Sequence, residues 1–81
     1  MCVSVRVQIL GEEHLIKGDA SAEYIKKLAH EVDTHLRKVQ HNNPTLPRHK
    51  VAILAALNLA DELEKLRLEH NELLKLMEEA N

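Results

Sequence analysis

The stretch VAILAALNLADEL, residues 51–63, is the densest apolar run of the chain and lies near the start of its longest uninterrupted segment. No glycine or proline follows Pro47, so the pattern predicts one helix from about Pro47 to about Ala80. At roughly 1.5 Å per residue this helix would be on the order of 50 Å long. A globule of this size measures about 25 Å across. The distal half of the helix is therefore expected to project from the rest of the protein.

Apolar side chains repeat along this helix with the spacing of a coiled coil. Alternating steps of four and three residues connect Ala52, Ala56, Leu59, Leu63, Leu66, His70, Leu73 and Met77. Helices bury such an a/d seam between them, so we predict an intermolecular coiled coil. His70 is interpreted as a polar residue that fixes the register, in preference to a metal ligand. Leu74 and Leu76 widen the apolar face and indicate that more than two helices meet there.

The polar residue Asn58 interrupts the apolar run. It belongs to a second stripe, on the side away from the seam, formed by Val51, Leu54, Leu57 and Asn58. Residues 51–60 are therefore expected to be buried on two sides, against the first helix and the sheet and against a partner helix. A buried amide needs hydrogen-bond partners. We interpret Asn58 as a residue that gives the oligomer interface its specificity; the alternative is an ordinary solvent-facing Asn.

The N-terminal part of the chain predicts a β-hairpin followed by a helix. Residues 3–9 alternate between apolar and polar, Gly11 favours a turn, and HLIK, residues 14–17, reads as a return strand ending at Gly18. Ser21 is a good N-cap for a helix whose apolar stripe comprises Ile25, Leu28, Ala29, Val32, Leu36 and Val39. HNNPTLP, residues 41–47, then interrupts the helix.

Together these elements predict an α+β fold. A small head of β-hairpin and helix is followed by one long C-terminal helix that forms an intermolecular coiled coil. We place the head at residues 1–58, which include the start of the long helix, and the coiled-coil tail at residues 59–81.

Composition argues against several classes of function. The chain has 81 residues, one cysteine (Cys2), six scattered histidines, one aromatic residue (Tyr24), two glycines and a net charge of −2. It therefore lacks the pattern of a disulfide framework, a zinc site, a nucleotide-binding loop or a base-stacking platform. His30 and His35 are five residues apart, so they do not form the H-E-x-x-H zinc motif. We predict a cytoplasmic protein with no enzymatic activity, catalytic residue, cofactor, metal ion, bound nucleic acid or membrane association.

Three segments resemble the ZapA family of bacterial cell-division proteins in order and spacing. They are VQILGEEHLIKGD, SAEYIKKLAHEVD and VAILAALNLADEL, and the AALNLADEL run, residues 55–63, is the most specific of them. The resemblance extends from Val5 to about Leu68. It implies a non-enzymatic protein with an α/β head on a long helix, a homodimer in which heads and helices join, and two dimers associating through antiparallel coiled coils. It also implies binding to FtsZ, the tubulin-like GTPase of the mid-cell division ring, and cross-linking of FtsZ filaments.

The surface that would contact FtsZ is predicted from charge. Arg37 and Lys38, near the end of the first helix, and Arg48 and Lys50, after the proline break, are expected to form a basic corner on each head. Such a corner attracts an acidic filament, so reversing Arg48 and Lys50 to Glu is expected to weaken bundling. Ordinary solubilising charge is the alternative, and Arg6 with Lys17 is a second candidate surface.

Two other classes of function remain open from the residues alone. One is a dimerisation module attached to DNA binding, although acidic residues dilute the cations of the first helix. The other is a cytoplasmic coiled-coil adaptor with a partner different from FtsZ.

Overall fold

The computed structural model describes residues 2–79 and places two strands and two helices in them. Strand β1 comprises Val3–Ile9 and strand β2 comprises Glu12–Gly18. Helix α1 comprises Ala22–Asn42 and helix α2 comprises Arg48–Glu79. The strands form a two-stranded antiparallel sheet, so the predicted α+β fold of hairpin, helix and long helix is confirmed. The last residues assigned to the predicted tail, 80 and 81, lie outside the described range.

The hairpin is closed by the two-residue turn Leu10–Gly11. Ile9 pairs with Glu12, and both turn residues have positive φ angles, 51° for Leu10 and 76° for Gly11. Two positive φ angles are the signature of a type I′ turn, whose twist matches that of the flanking strands. Because this turn is so short, β2 begins at Glu12, two residues before the strand predicted at residue 14.

Helix α1 covers the inner face of β1. Its Ile25 and Ala29 pack with Val5 and Val7 of the strand to form the first of two small core clusters. The Oγ atom of Ser21 accepts a hydrogen bond from the Tyr24 N–H at 3.2 Å, as expected of an N-cap residue.

The second core cluster joins the end of α1 to the start of α2. It comprises Leu36, Val39, Val51 and Ala55, and Val51 is completely buried. Helix α2 begins one residue later than predicted. The Pro47 carbonyl accepts the first helical hydrogen bond, from the Val51 N–H at 3.1 Å, so Pro47 precedes the first turn.

Within one chain, burial along α2 is narrower than the sequence predicts. Val51 and Ala55 are buried and Leu54 is half-buried, but Leu57 is 62% exposed. The expectation that Leu57 packs on α1 is therefore wrong, because the contact stripe on α1 runs through Ala55 instead.

The distal part of α2 projects away from the head. Leu59 is the last half-buried residue, and residues 60–78 are all exposed. The radius of gyration is 16.9 Å and the longest dimension is 51 Å, whereas a compact domain of this length has a radius of gyration of about 12 Å. In the described part of the chain, no helix has the combination of length and apolarity needed to span a membrane.

Candidate functional site

The predicted seam is an exposed apolar surface on α2. In the single chain only its residue Leu59 is even half-buried, while Leu63 is 48%, Leu66 63%, Leu73 56% and Met77 59% exposed. Burying one such side chain stabilises an assembly by about 1.5–3 kcal/mol. A projecting helix is also marginally stable without packing partners. The seam therefore has the properties of a helix face that another helix covers.

A second apolar surface opens between the sheet and α1. Because α1 lies over β1, the inner face of β2 is left uncovered. Ile16 of β2 is 38% exposed, and Leu28 of α1, which faces it, is 41% exposed. The groove between them, which we call the apolar groove, is lined by Val7, Ile9, Ile16, Ile25, Leu28, Ala29 and Val32. Every one of these side chains is apolar. The head therefore has an exposed apolar surface, the apolar groove, in addition to the seam on the tail.

Asn58 lies on the side of α2 that faces the end of α1. It is exposed in the single chain and lines an open cleft with His35, Lys38 and Asn42 of α1. The packed junction expected around its amide is therefore not formed within one chain. A contact between Asn58 and a second chain stays a prediction.

The tip of the hairpin is held by side chains from both helices, an arrangement that we call the hairpin clasp. The Leu10 N–H donates to Oδ1 of Asp33 in α1 at 2.8 Å. Nη1 of Arg48, at the start of α2, donates to the Leu10 carbonyl at 3.0 Å and to Oε1 of Glu12 at 2.7 Å. Arg37 completes the clasp, because its Nε donates to Oδ2 of Asp33 at 2.9 Å. The clasp therefore connects the hairpin and α1 to Arg48, the first residue of the projecting helix α2.

The clasp also explains how Leu10 tolerates a positive φ angle. A bulky residue in the left-handed region is strained and needs support from its surroundings. Here both polar atoms of its peptide backbone are hydrogen-bonded, and its side chain packs against the second core cluster.

The four residues of the predicted basic corner fall into two groups. Arg37 and Arg48 are held in the clasp, each paired with a carboxylate, Asp33 and Glu12 respectively. Lys38 and Lys50 are exposed, and neither has a carboxylate within 4.0 Å among the side chains of residues 2–78. Lys38 lies at the cleft beside Asn58. The two lysines are therefore the members of the corner whose charge is available to a partner.

Comparison with known proteins identifies the family. The model of the family described as "Cell division protein ZapA" matches residues 5–81. A cell division protein ZapA from Geobacillus sp. (strain WCH70) is 37% identical over 71 residues, covering 88% of this chain and 82% of the relative. The chain belongs to the ZapA family.

Other ZapA proteins support the same assignment. The protein from Halalkalibacterium halodurans is 38% identical over 60 residues, 74% of this chain and 66% of its own length. A solved structure, the ZapA mutant dimer from Geobacillus stearothermophilus, superposes with a TM-score of 0.73 at 29% identity and covers 96% of this chain and 91% of its own. A dimeric relative with this fold supports self-association of the chain. The exposed apolar surfaces stay our prediction for the interface.

The clasp holds Asp33 in its charged form. The hydrogen bond from the Leu10 N–H and the bond from Arg37 lower the pKa of Asp33 below its usual value of 3.8. A carboxylate whose pKa is lowered by folding stabilises the native state at pH values above its unfolded pKa. That contribution is lost as the pH falls through the folded pKa. The clasp is thus expected to weaken only in acid.

The first prediction concerns this pH dependence. Replacing Asp33 with Asn is expected to lower the urea midpoint of unfolding at pH 7, and the difference from the wild type should shrink as the pH falls from about 5 to below 3. Unfolding would be followed by circular dichroism at one protein concentration.

Asp61→Asn is the matched control for this prediction. It removes the exposed pair of Asp61 with Lys65, which lies on the projecting helix outside the clasp. Such pairs contribute little to stability, so its effect should be small at every pH. If the urea midpoints of Asp33→Asn and the wild type differ as much below pH 3 as at pH 7, the charge of Asp33 does not stabilise the clasp.

Proposed function

We propose that this protein is a non-enzymatic cytoplasmic cell-division protein that binds FtsZ filaments and cross-links them at the mid-cell ring. Its membership of the ZapA family supports the role in cell division. The observation that carries the cross-linking is the seam, a largely exposed stripe of mainly apolar residues on a helix that projects from a small head. Helices that share such a seam give one particle several identical heads.

Cross-linking follows from the number of heads. A homodimer carries two copies of any surface on the head, so it can hold two filaments or two positions on one filament. Weak single contacts are sufficient, because linked binding sites raise the effective affinity without any new contact. The exposed Leu74 and Leu76 widen the apolar face at the end of the tail and support association of two dimers into a tetramer.

The exposed lysines of the basic corner are our proposed contact with FtsZ. Lys38→Glu combined with Lys50→Glu is expected to raise the protein concentration needed for half-maximal bundling about tenfold, because reversed charges repel an acidic filament. Arg48 is left unchanged. Reversing it would place a second carboxylate beside Glu12 and would disturb the clasp that holds the hairpin.

Lys27→Glu with Lys75→Glu is the matched control for this pair, because Lys65 lines the same cleft as Lys38. It makes the same change in net charge on exposed positions away from that cleft. Bundling by the control should stay within about twofold of the wild type. If the two double variants bundle filaments equally well, the lysines of the corner do not form the contact, and Arg6 with Lys17 becomes the next surface to test.

The proposed function is tested by sedimenting FtsZ polymers formed with GTP, after light scattering has been recorded in the same samples. Co-pelleting with increased scattering is expected, because binding and cross-linking occur together. A protein that stays in the supernatant, under conditions where a known ZapA pellets, would contradict the proposed function while leaving the family assignment intact. It would then favour a coiled-coil adaptor with another partner.

A further inference from the structure

The outer edge of β1 is an unpaired strand edge. In a hairpin closed by a two-residue turn, the residues flanking the turn exchange backbone hydrogen bonds, and every second pair does the same. The bonded pairs here are Ile9 with Glu12, Val7 with His14, Val5 with Ile16 and Val3 with Gly18. The N–H and C=O groups of Ser4, Arg6 and Gln8 therefore point away from β2. Within residues 2–79 no other strand pairs with this edge.

Helix α1 forms a wall beside this edge and makes it a groove. The groove has a volume of about 240 Å³ and is lined by Arg6, Val7 and Gln8 of β1 and by Lys26, Ala29, His30 and Asp33 of α1. The outer edge of β2 has no comparable wall, because α1 contacts β1 alone of the two strands to a substantial extent. An added strand would thus contact backbone on one side and helix side chains on the other only at β1.

The charges at the groove favour an acidic occupant. Arg6 and Lys26 are exposed, and neither has a carboxylate within 4.0 Å in the described part of the chain. Asp33 is the one acidic residue of the lining, and its carboxylate is already bound by the Leu10 N–H and by Arg37. The lining has two cationic side chains, Arg6 and Lys26, and one carboxylate, Asp33, so these charges sum to a positive value although the whole chain carries a net charge of −2.

The edge also lies away from the apolar surfaces assigned to self-association. Helix α1 turns Leu28 and Val32 towards the apolar groove on the β2 side, and it turns Lys26 and His30 towards the edge of β1. The two grooves lie on opposite flanks of the same helix. A second copy that covers the apolar groove leaves the β1 edge accessible.

We propose that the β1 edge binds an extended acidic segment of a partner protein as a third strand. Backbone hydrogen bonds to Ser4, Arg6 and Gln8 supply the pairing, as in other cases of strand addition. Arg6, on the face of β1 away from α1, and Lys26, on α1, select carboxylate side chains on the two faces of the segment. The inference does not depend on filament cross-linking, and the residues that carry it differ from Lys38 and Lys50.

The test uses the 81-residue protein and a capped peptide of about nine residues, a normal strand length. The peptide repeats Glu-Glu-Val-Thr, so that Glu lies on both faces of the added strand. Titration followed by amide NMR is expected to show binding, with slowed hydrogen exchange at Ser4, Arg6 and Gln8. Exchange at Val5 and Val7, already bonded to β2, should change much less. The same peptide with Lys in place of each Glu should not bind.

Matched variants separate this edge from general electrostatics. Arg6→Glu with Lys26→Glu is expected to weaken peptide binding about tenfold, whereas Lys17→Glu with Lys27→Glu, an equal change in charge on the same two elements, should weaken it less than about threefold. Equal losses of peptide affinity in both double variants would overturn the proposal. So would slowed hydrogen exchange at the outer edge of β2 instead of β1, or the absence of binding at millimolar peptide. Protection of the β1 edge that grows with protein concentration alone would also overturn it, because a second copy would then be the occupant.

Discussion

Replacing Leu63 and Leu66 with Glu is expected to convert the self-associated protein into a monomer. Both side chains lie in the exposed seam, and a dimer that forms through the seam would bury four of them. At about 1.5–3 kcal/mol for each buried Leu, their loss raises the dissociation constant by at least about a thousandfold. Four carboxylates close together would add repulsion. Size-exclusion chromatography with light scattering measures the change directly.

The distal part of α2 should lose helicity in the same variant. Beyond Leu59, residues 60–78 of this helix bury no side chain within one chain. Isolated helices of such length are marginal in water. Lys65→Glu with Lys75→Glu is the control, because it adds the same two Glu residues off the seam. A doubly substituted seam that keeps the wild-type mass would contradict the assignment of the seam as the interface.

Replacing Val51 with Asp is expected to unfold the head. Val51 is completely buried between Leu36, Val39 and Ala55, where a carboxylate has no partner. Burying an unpaired polar or charged group in place of a valine costs about 3–5 kcal/mol. A domain of 81 residues has a total stability of roughly 4–12 kcal/mol. The urea midpoint should therefore fall sharply or the cooperative transition should disappear.

Lys50→Asp controls for the new residue itself. It places the same side chain one position earlier in the first turn of α2, where Lys50 is exposed. An acidic residue near a helix N-terminus is neutral or slightly stabilising. The two variants are compared at one protein concentration, because self-association adds to stability. If Val51→Asp and Lys50→Asp lower the urea midpoint by similar amounts, the packing of α1 on α2 does not depend on this core cluster.

Periodicity in the sequence predicted the elements of the fold because each element buries one face. Alternation from Val3 to Ile9 indicated β1, and the stripe from Ile25 to Val39 indicated α1. An overlong helix with an apolar seam also predicted the projection of α2. The dimeric ZapA structure supports the self-association that this seam required.

The details that escaped prediction depend on contacts between distant residues. Leu10 and Asp33 are 23 positions apart and Arg48 is 38 positions from Leu10, so no local pattern connects them. The sequence predicts Arg37 and Arg48 as members of a basic corner that attracts an acidic filament, whereas Arg37 is bound to Asp33 and Arg48 to the hairpin tip. The sequence offers one signal for the clasp, which is the charged residue Arg48 at the start of α2 together with the short turn at Leu10–Gly11. The exposure of Leu57 was likewise missed, because periodicity alone does not fix how far a helix rotates on its neighbour.

Cross-linking through the seam is tested most directly by comparing the wild type with the Leu63→Glu, Leu66→Glu variant on FtsZ polymers. The wild type should co-pellet and increase light scattering, because its seam links several heads. The variant, with an intact head, should co-pellet more weakly and leave the scattering at the level of FtsZ alone. A variant that is monomeric and still increases scattering as much as the wild type would contradict the account, since one head would then be enough to cross-link filaments.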